Sequence, residues 1–395
     1  MNIGFYIILS AQFLSALADN TLLFTAIAAL RELKSPSWHE PLLLQFFVIS
    51  YILLAPFVGS IADSFPKGRV MFVSNTIKFL GCITMIFGMP PLYAYGVVGI
   101  GAAAYSPAKY GILSEYLPPN DLVKANGWME GSTVMAIVLG GVLGAVIPRF
   151  GIMHSIIFVT LLYFSAAIFN LFIPKLPKFK ANPISNPIVL LVDFWHSFKV
   201  LWIDKQGQVS LAVTTLFWGA GATMRLIVLL WAAYALGFDH EHATYLTVVV
   251  AVGIAAGSIF AGKYVKLENS MSVLPAGMMM GVLVMLMVVV TEWHLGIILL
   301  FAIGVLSGYF VVPLNALLQH RGHLLIGSGH SIAVQNFNEN IGILIMSGAY
   351  TLMLREQIHI NMIVLLFGTF VLITMGIINR FYRNRISADE ISASH

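Results

Sequence analysis

Apolar runs of about 20 residues dominate the chain, and most charged residues gather in the short stretches between them. A helix that crosses the roughly 30 Å hydrocarbon layer of a bilayer needs about 20 mostly apolar residues. The pattern therefore predicts twelve membrane-spanning helices, near residues 5–30, 42–62, 70–88, 92–113, 125–147, 155–173, 209–235, 244–262, 272–291, 295–318, 330–353 and 361–380.

Composition agrees with this pattern. Of the 395 residues, 59% are hydrophobic and only 10% are charged, and the mean hydropathy is +0.89. Soluble domains average about 25% charged residues. The first apolar run is expected to be the first span rather than a signal peptide, since no basic segment precedes it. The single cysteine, Cys82, excludes an intrachain disulfide and is expected to be an ordinary packed residue.

The longest interruption follows the sixth span and reads IPKLPKFKANPISNPIVLLVDFWHSFKVLWIDKQGQ. Its prolines and lysines are typical of a linker, with an amphipathic helix expected around Val192 to Trp202. The predicted organisation is a six-helix half over 1–173, a cytoplasmic linker over 174–208, a second six-helix half over 209–380 and a cytoplasmic tail over 381–395.

The two halves resemble each other in sequence. SPAKYG ends the fourth span and ANGWMEG opens the fifth, while VPLNAL ends the tenth and VQNFNEN opens the eleventh. Internal repeats of this kind are typical of transporters. The sequence thus predicts an all-α polytopic membrane protein, with twelve transmembrane helices in two pseudo-symmetric six-helix halves.

The loop charges predict the orientation in the membrane. With the N-terminus inside, fourteen Lys and Arg residues fall on the cytoplasmic side and four fall outside, and Lys78, Lys109 and Arg225 lie within spans. Because cytoplasmic loops carry the excess of basic residues, both termini are predicted to be cytoplasmic. The net charge of +4 is then explained by these loops, and no nucleic-acid partner is expected.

An acid in the middle of the first span needs an explanation. Asp19 lies among apolar residues, where an aspartate costs roughly 2.5–3.5 kcal/mol on insertion scales. Aligning the two repeats places Asp19 at a similar depth to Arg225 of the seventh span. Gln12 lies on the same helix face as Asp19, and Trp218 lies on the same face as Arg225. We expect Asp19 and Arg225 to pair, either as a structural ion pair or as a pair that binds substrate charges.

The loop GSIADSFPKGR between the second and third spans resembles the loop signature of the major facilitator superfamily. Asp63 ends a helix and could meet a neighbouring helix N-terminus or an arginine, while Gly68 and Arg69 form the turn. This predicts a conformational brace. An ordinary basic loop is the alternative, because the spacing is two residues longer than in the commonest form.

Three further charged residues are candidates for substrate binding. Lys109 follows a proline that can kink its helix beside a cavity, but a lysine here could equally extend to the cytoplasmic face. Glu130 and Glu339 open the fifth and eleventh spans with other polar residues beside them. Half-buried polar packing between helices is the alternative for both.

No pattern supports enzymatic chemistry. The chain has no phosphate-binding loop, and His240 to His242 offer too few ligands for a metal. We expect neither a catalytic residue, a metal nor a cofactor.

Several longer motifs carry a more specific resemblance. AQFLSALADNTLLF, ADSFPKGRVMF, GAAAYSPAKYGIL with VKANG, LFWGAGATMRL, and VVPLNALLQ with AVQN occur in this order between about residues 10 and 345. Together they resemble the bacterial lysophospholipid transporter family of the major facilitator superfamily. In that resemblance Asp19 and Arg225 fall on matching acidic and basic positions, and Lys109 on the lysine of SPAKYG.

The resemblance implies a flippase-like function in the inner membrane of Gram-negative bacteria. Lysophosphatidylethanolamine and lysophosphatidylglycerol would move from the outer to the inner leaflet, where a cytoplasmic acyltransferase/acyl-ACP synthetase re-acylates them. Lysophospholipid substrate and membrane lipids are the expected partners. Two alternatives from the residues are a proton-coupled exporter of amphipathic drugs and a non-transporting membrane scaffold or receptor.

Overall fold

The computed structural model describes residues 2–36, 39–174 and 186–393, and this part of the chain is helical throughout. Its thirteen α-helices are α1 (Ile3–Glu32), α2 (His39–Ser64), α3 (Lys67–Ile86), α4 (Pro91–Tyr116), α5 (Leu122–Val146), α6 (Ile152–Leu171), α7 (Pro187–Ile203), α8 (Lys205–Ala235), α9 (His240–Tyr264), α10 (Leu274–Leu286), α11 (Trp293–Leu325), α12 (Ser328–Arg355) and α13 (Ile360–Ala393). The all-α class predicted from the sequence is confirmed.

Each predicted span coincides with one helix. The first six are α1 to α6 and the last six are α8 to α13, with α10 extended by 3-10 segments at Leu267–Val273 and Met287–Val289. By length and apolar composition, ten of the described helices could cross a membrane. The other two, α4 and α12, hold more polar residues, which is the expected composition for helices that line a polar interior.

Packing divides the chain into two compact units. The first comprises the described residues of Met1–Asp121, Ser132–Leu201 and Gln319–Phe337. The second comprises those of Leu122–Gly131, Trp202–Leu318 and Asn338–His395. The start of α5 therefore packs with the second unit, and the junction of α11 and α12 packs with the first.

A core cluster of the first unit is built mainly from side chains of α1, α3, α4 and α6, and it includes small apolar residues as well as the rings of Tyr95 and Tyr163. Ala18 and Leu22 of α1 contribute to one cluster with Val98 of α4 and Val159 of α6. Cys82 lies fully buried in the same cluster, as expected for a packed cysteine. Alanine and glycine at such contacts let helix backbones approach closely, which is how membrane helices pack without a hydrophobic driving force between them.

Many large apolar side chains point outward. Leu53 is 65% exposed, and Ile298 and Ile377 are each 64% exposed. Apolar surface on this scale is unfavourable in water, so these faces contact the hydrocarbon of a bilayer.

The linker contains the expected amphipathic helix, α7, which extends beyond the predicted segment at its N-terminal end. Leu190, Phe194 and Leu201 form its buried face. The Phe194 ring packs edge-on against Phe337 of α12 at 5.4 Å between centroids, so α7 is a packed part of the first unit.

Candidate functional site

The acid of α1 lies at the centre of a polar cluster inside the first unit. Lys78 of α3 donates to both carboxylate oxygens of Asp19, at 2.9 Å to Oδ1 and 2.8 Å to Oδ2. Tyr163 of α6 donates to Oδ1 at 2.7 Å. Three hydrogen bonds from two side chains therefore hold this carboxylate, and charge-assisted hydrogen bonds of this length are the strong ones.

The cluster continues along α1 and α3 through neutral groups. Lys78 Nζ also donates to Ser15 Oγ at 3.1 Å, and Ser15 donates to Asn75 Oδ1 at 2.8 Å. Ser15 lies one helical turn before Asp19, so both side chains point from the same face of α1. The side chain of Lys78 is 1% exposed and that of Asp19 is 23% exposed, so the pair is closed on the lysine side and partly open at the acid.

This geometry corrects one prediction. The ion-pair partner of Asp19 is Lys78, not Arg225. Repeat symmetry compares equivalent depths in the two halves. However, α1 and α3 belong to the same half and both pack against α6, so the long side chain of Lys78 reaches the acid of α1. An unpaired lysine in the apolar α3 would be as costly as an unpaired acid in α1, and pairing removes both costs.

Arg225 lies in α8, in the second unit, with its side chain exposed. Among the described residues it makes no hydrogen bond and no ion pair. Trp218, two turns earlier on the same face, is half-buried, with its ring edge-on to Phe217 at 5.4 Å. The guanidinium thus keeps its donors available for a ligand anion.

Gln12 is buried in α1, one turn before Ser15. Its amide nitrogen donates to Thr133 Oγ1 at 2.6 Å, and its amide oxygen accepts from Ser132 Oγ at 3.0 Å. Both partners belong to α5, so Gln12 joins α1 to α5 within the first unit.

Asp63 lies at the end of α2 and binds the first turn of α12. Its Oδ1 accepts from the backbone N–H of Gly329 at 2.7 Å, and its Oδ2 accepts from the N–H of His330 at 3.0 Å. These amides belong to a helix N-terminus, where backbone donors lack intrahelical partners and the helix dipole favours a negative charge. The imidazole of His330 adds a contact of 2.6 Å from Nδ1 to Oδ2 and bonds Ser60 Oγ through Nε2 at 3.0 Å.

A lysine completes this second cluster. Lys67, at the start of α3, donates to Asp63 Oδ1 at 2.8 Å and lies 3.0 Å from Glu115 Oε1 of α4. Glu115 in turn accepts a hydrogen bond from Ser328, the first residue of α12. The ends of α2, α3, α4 and α12 are therefore joined by one buried group of charges.

The other two residues predicted for the brace lie beside this cluster. Gly68 faces Ile173, to which an added Cβ would come within 3.1 Å. Arg69 is exposed and, within the described residues, forms no ion pair. Lys67, rather than Arg69, thus supplies the cation next to Asp63.

The remaining candidates lie on three helices. Lys109 is half-buried in α4, with Nζ 4.1 Å from the centre of the Tyr110 ring. Glu130 of α5 and Glu339 of α12 are both buried, and both belong to the second unit. Sequence reasoning assigned no role to Lys78, Lys67, Glu115 or His330. Lys78 alone gave a signal, since a lysine within an apolar span requires an acid.

The two clusters differ in what they can do chemically. The cluster around Asp63 is sealed and ties helix ends together, whereas the cluster around Asp19 has a partly exposed carboxylate that a ligand can reach. Neither contains an activated nucleophile open to solvent.

Comparisons with known proteins give the family. The sequence profile described as Major Facilitator Superfamily matches residues 8–347. The lysophospholipid transporter LplT of Yersinia pestis (strain Pestoides F) is 45% identical over 349 residues, which are 88% of this chain and 86% of that protein. LplT of Yersinia pseudotuberculosis serotype O:3 (strain YPIII) matches with the same identity and coverage.

Solved structures agree on the fold. The human organic anion transporter MFSD10 superposes with a TM-score of 0.78 at 12% identity, over 96% of this chain and 100% of that one. A bacterial homologue of the iron transporter ferroportin gives 0.75 at 14% identity, over 98% and 100%. At such identities the likeness concerns architecture alone. With the sequence matches added, the chain belongs to the major facilitator superfamily and, within it, to the LplT family of lysophospholipid transporters.

Proposed function

We propose that this protein moves lysophosphatidylethanolamine and lysophosphatidylglycerol from the outer to the inner leaflet of the bacterial inner membrane. The observation that carries the proposal is the 45% identity, over 88% of the chain, to relatives named as lysophospholipid transporters. The chemistry of the candidate site supports the same class of substrate.

A lysophospholipid combines a charged head group with one acyl chain, so its carrier needs a few charges between large apolar walls. Arg225 is the charge best suited to the phosphate, because a guanidinium offers two parallel hydrogen bonds to it. Asp19, partly exposed in α1, would contact the polar end of the head group. Lys109, Glu130, Glu339, Gln12 and Trp218 remain proposed members of the same binding path.

Access from the side, within the bilayer, suits the acyl chain. Each buried CH₂ is worth about 0.8 kcal/mol, so passing a long chain through water would cost over roughly 10 kcal/mol. We therefore expect alternating access between the two halves, with the chain kept in lipid. Asp63, Gly68 and Arg69 would act in the conformational brace, which the observed bonds between Asp63 and the first turn of α12 support.

Re-acylation would follow in the cytoplasm. The proposed partner is a cytoplasmic acyltransferase/acyl-ACP synthetase, which would add the second acyl chain. The loop charges support cytoplasmic termini. The lysophospholipid would be delivered to the inner leaflet, which a cytoplasmic acyltransferase can reach.

A leaflet-specific assay tests the proposal. Fluorescent lysophosphatidylethanolamine is added to the outer leaflet of proteoliposomes, and albumin then extracts what has not crossed. We expect faster protection from extraction with the wild-type protein than with empty liposomes. Arg225→Gln and Arg225→Lys should both be slow, whereas Arg355→Gln, which removes an exposed guanidinium at the end of α12, should match the wild type. Equal protection with and without the protein would refute the function.

A further inference from the structure

The cluster around Asp19 has the composition of an ammonium-binding site, and the protein's own Lys78 fills it. The three N–H groups of the lysine point at Asp19 Oδ1, Asp19 Oδ2 and Ser15 Oγ. The rings of Tyr105 and Tyr163 lie 4.9 and 5.6 Å from Nζ. A carboxylate, a hydroxyl and two aromatic faces are the groups that bind a primary ammonium ion.

The backbone is shaped to let the lysine stem in. A Cβ added at Gly101 of α4 would come within 2.7 Å of Lys78 Cγ and within 2.7 Å of the carbonyl oxygen of Ser74. Glycine at this position thus leaves the space that the stem occupies. The Lys78 side chain is consequently fully buried, and its ammonium group can reach Asp19 only from inside the unit.

The opposite side of the carboxylate remains open. Asp19 Oδ1 accepts from Tyr163 and Lys78, whereas Oδ2 accepts from Lys78 alone among the described residues. A ligand that reaches the exposed part of Asp19 therefore meets a carboxylate whose charge is already balanced by Lys78. Its Oδ2 atom still has a lone pair that can accept a hydrogen bond from the ligand. Such an acid can bind a hydroxyl or an amine with little preference between them.

The walls of the site also hold polar atoms without partners. The amide nitrogen of Asn75 and the hydroxyl of Tyr105 are buried and bond nothing in the part of the chain that the structure describes. If the lysine were shortened, the space left would have polar walls and would fill with water or a small polar cation rather than stay dry.

We propose that Lys78 is a specificity-determining residue, because it occupies as an internal cation the ammonium site that Asp19 would otherwise offer to an aminated head group. The inference rests on the proposed function for its substrates. With Lys78 in place, lysophospholipids with ethanolamine and with glycerol head groups are both accepted. Without it, the acid is unbalanced and selects the amine.

The first test compares two substrates in proteoliposomes at pH 7.5. In Lys78→Met the ratio of initial rates, lysophosphatidylethanolamine over lysophosphatidylglycerol, should rise by up to about five-fold, the factor that corresponds to about 1 kcal/mol for a partly exposed charge pair. The double variant Lys78→Met, Asp19→Asn should return to the wild-type ratio. Lys263→Met is the matched control, since Lys263 also lies over a tyrosine ring, at 5.0 Å, but on α9. A folded Lys78→Met protein with an unchanged ratio would overturn the proposal.

A second test reports on the site without transport. In purified Lys78→Ala, ethylammonium chloride should raise the melting temperature, because the small cation re-forms the missing contacts with Asp19 and Ser15. Tetramethylammonium, which has no N–H donor, and sodium should give no such rise, and neither should ethylammonium on the double variant Lys78→Ala, Asp19→Asn. The absence of an amine-specific rise would refute the ammonium site. A wild-type protein that moves neither lysolipid would instead refute the proposed function, while leaving this second test intact.

Discussion

Replacing Asp63 by asparagine should destabilise the first turn of α12 strongly, although the two side chains have nearly the same size and shape. The carboxylate accepts four hydrogen bonds, from Lys67 Nζ, from the N–H groups of Gly329 and His330, and from His330 Nδ1. Asparagine keeps one acceptor oxygen, loses the charge, and turns an NH₂ group toward donors. It also leaves Lys67 with Glu115 as its only acidic partner in the cluster.

The size of the effect follows from burial. Removing one partner of a buried ion pair costs about 3–5 kcal/mol. When about 3 kcal/mol of this cost lowers the free energy of local opening at the α12 N-terminus, the open state, in which these amides are exposed to water, becomes about 150-fold more populated. Hydrogen–deuterium exchange of peptides that cover Gly329 and His330 should accelerate by that factor.

The chain offers a matched control on another helix N-terminus. Asp239 caps α9 by accepting from the N–H of His242 at 2.8 Å, but its side chain is exposed. Aspartate and asparagine cap exposed helices about equally well, so Asp239→Asn should change exchange at His242 by less than about two-fold. Similar accelerations in the two variants would show that the buried charge of Asp63 adds nothing to an ordinary cap, and the reasoning would be wrong.

Three other predictions concern the rest of the molecule. Lys67→Met leaves two buried carboxylates facing each other, so the melting temperature of the purified protein should fall further than with any exposed Lys→Met change; an equal fall would contradict the assigned ion pairs. Gly101→Ala should destabilise by about 1–3 kcal/mol through overpacking, whereas Gly96→Ala, whose added Cβ meets only the Phe46 ring at 3.3 Å, should be tolerated in the same melting assay. A cysteine at Glu356 should react with an impermeant reagent outside intact cells and one at Lys266 should not, and the reverse pattern would overturn the predicted orientation.

The helices and their number were predictable because each needs only a local apolar run, and the bilayer sets its length. α7 was predictable for a similar reason, since an amphipathic segment bounded by prolines is visible in the sequence. The ends of the helices were harder to predict. The apolar run ends near residue 318, but α11 continues to Leu325, and its residues from Gln319 onward belong to the first unit.

The partners of the charged residues were harder to predict. Asp19 and Lys78 are 59 residues apart, and Asp63 and His330 are 267 apart, so no local spacing relates them. Repeat symmetry gave Arg225 as the partner of Asp19. It was misleading because it relates equivalent positions in the two halves and does not say which charged side chain lies within reach of the acid. The acid in α1 and the base in α3 could have been matched by asking which buried charges remain unbalanced within one half.

The pairing of Asp19 with Lys78 also has a consequence for how the chain enters the membrane during synthesis. At about 5–20 residues per second, the ribosome needs about 3 to 12 s to make the 59 residues between them. For that time α1 holds an acid without its base, at a cost of roughly 2.5–3.5 kcal/mol if it moves into lipid alone. We therefore expect α1 to stay beside the insertion machinery until α3 emerges, and the two helices to leave it together. A substitution of Lys78 would then prolong the contact of α1 with the translocon, which site-specific photocrosslinking of stalled chains can measure.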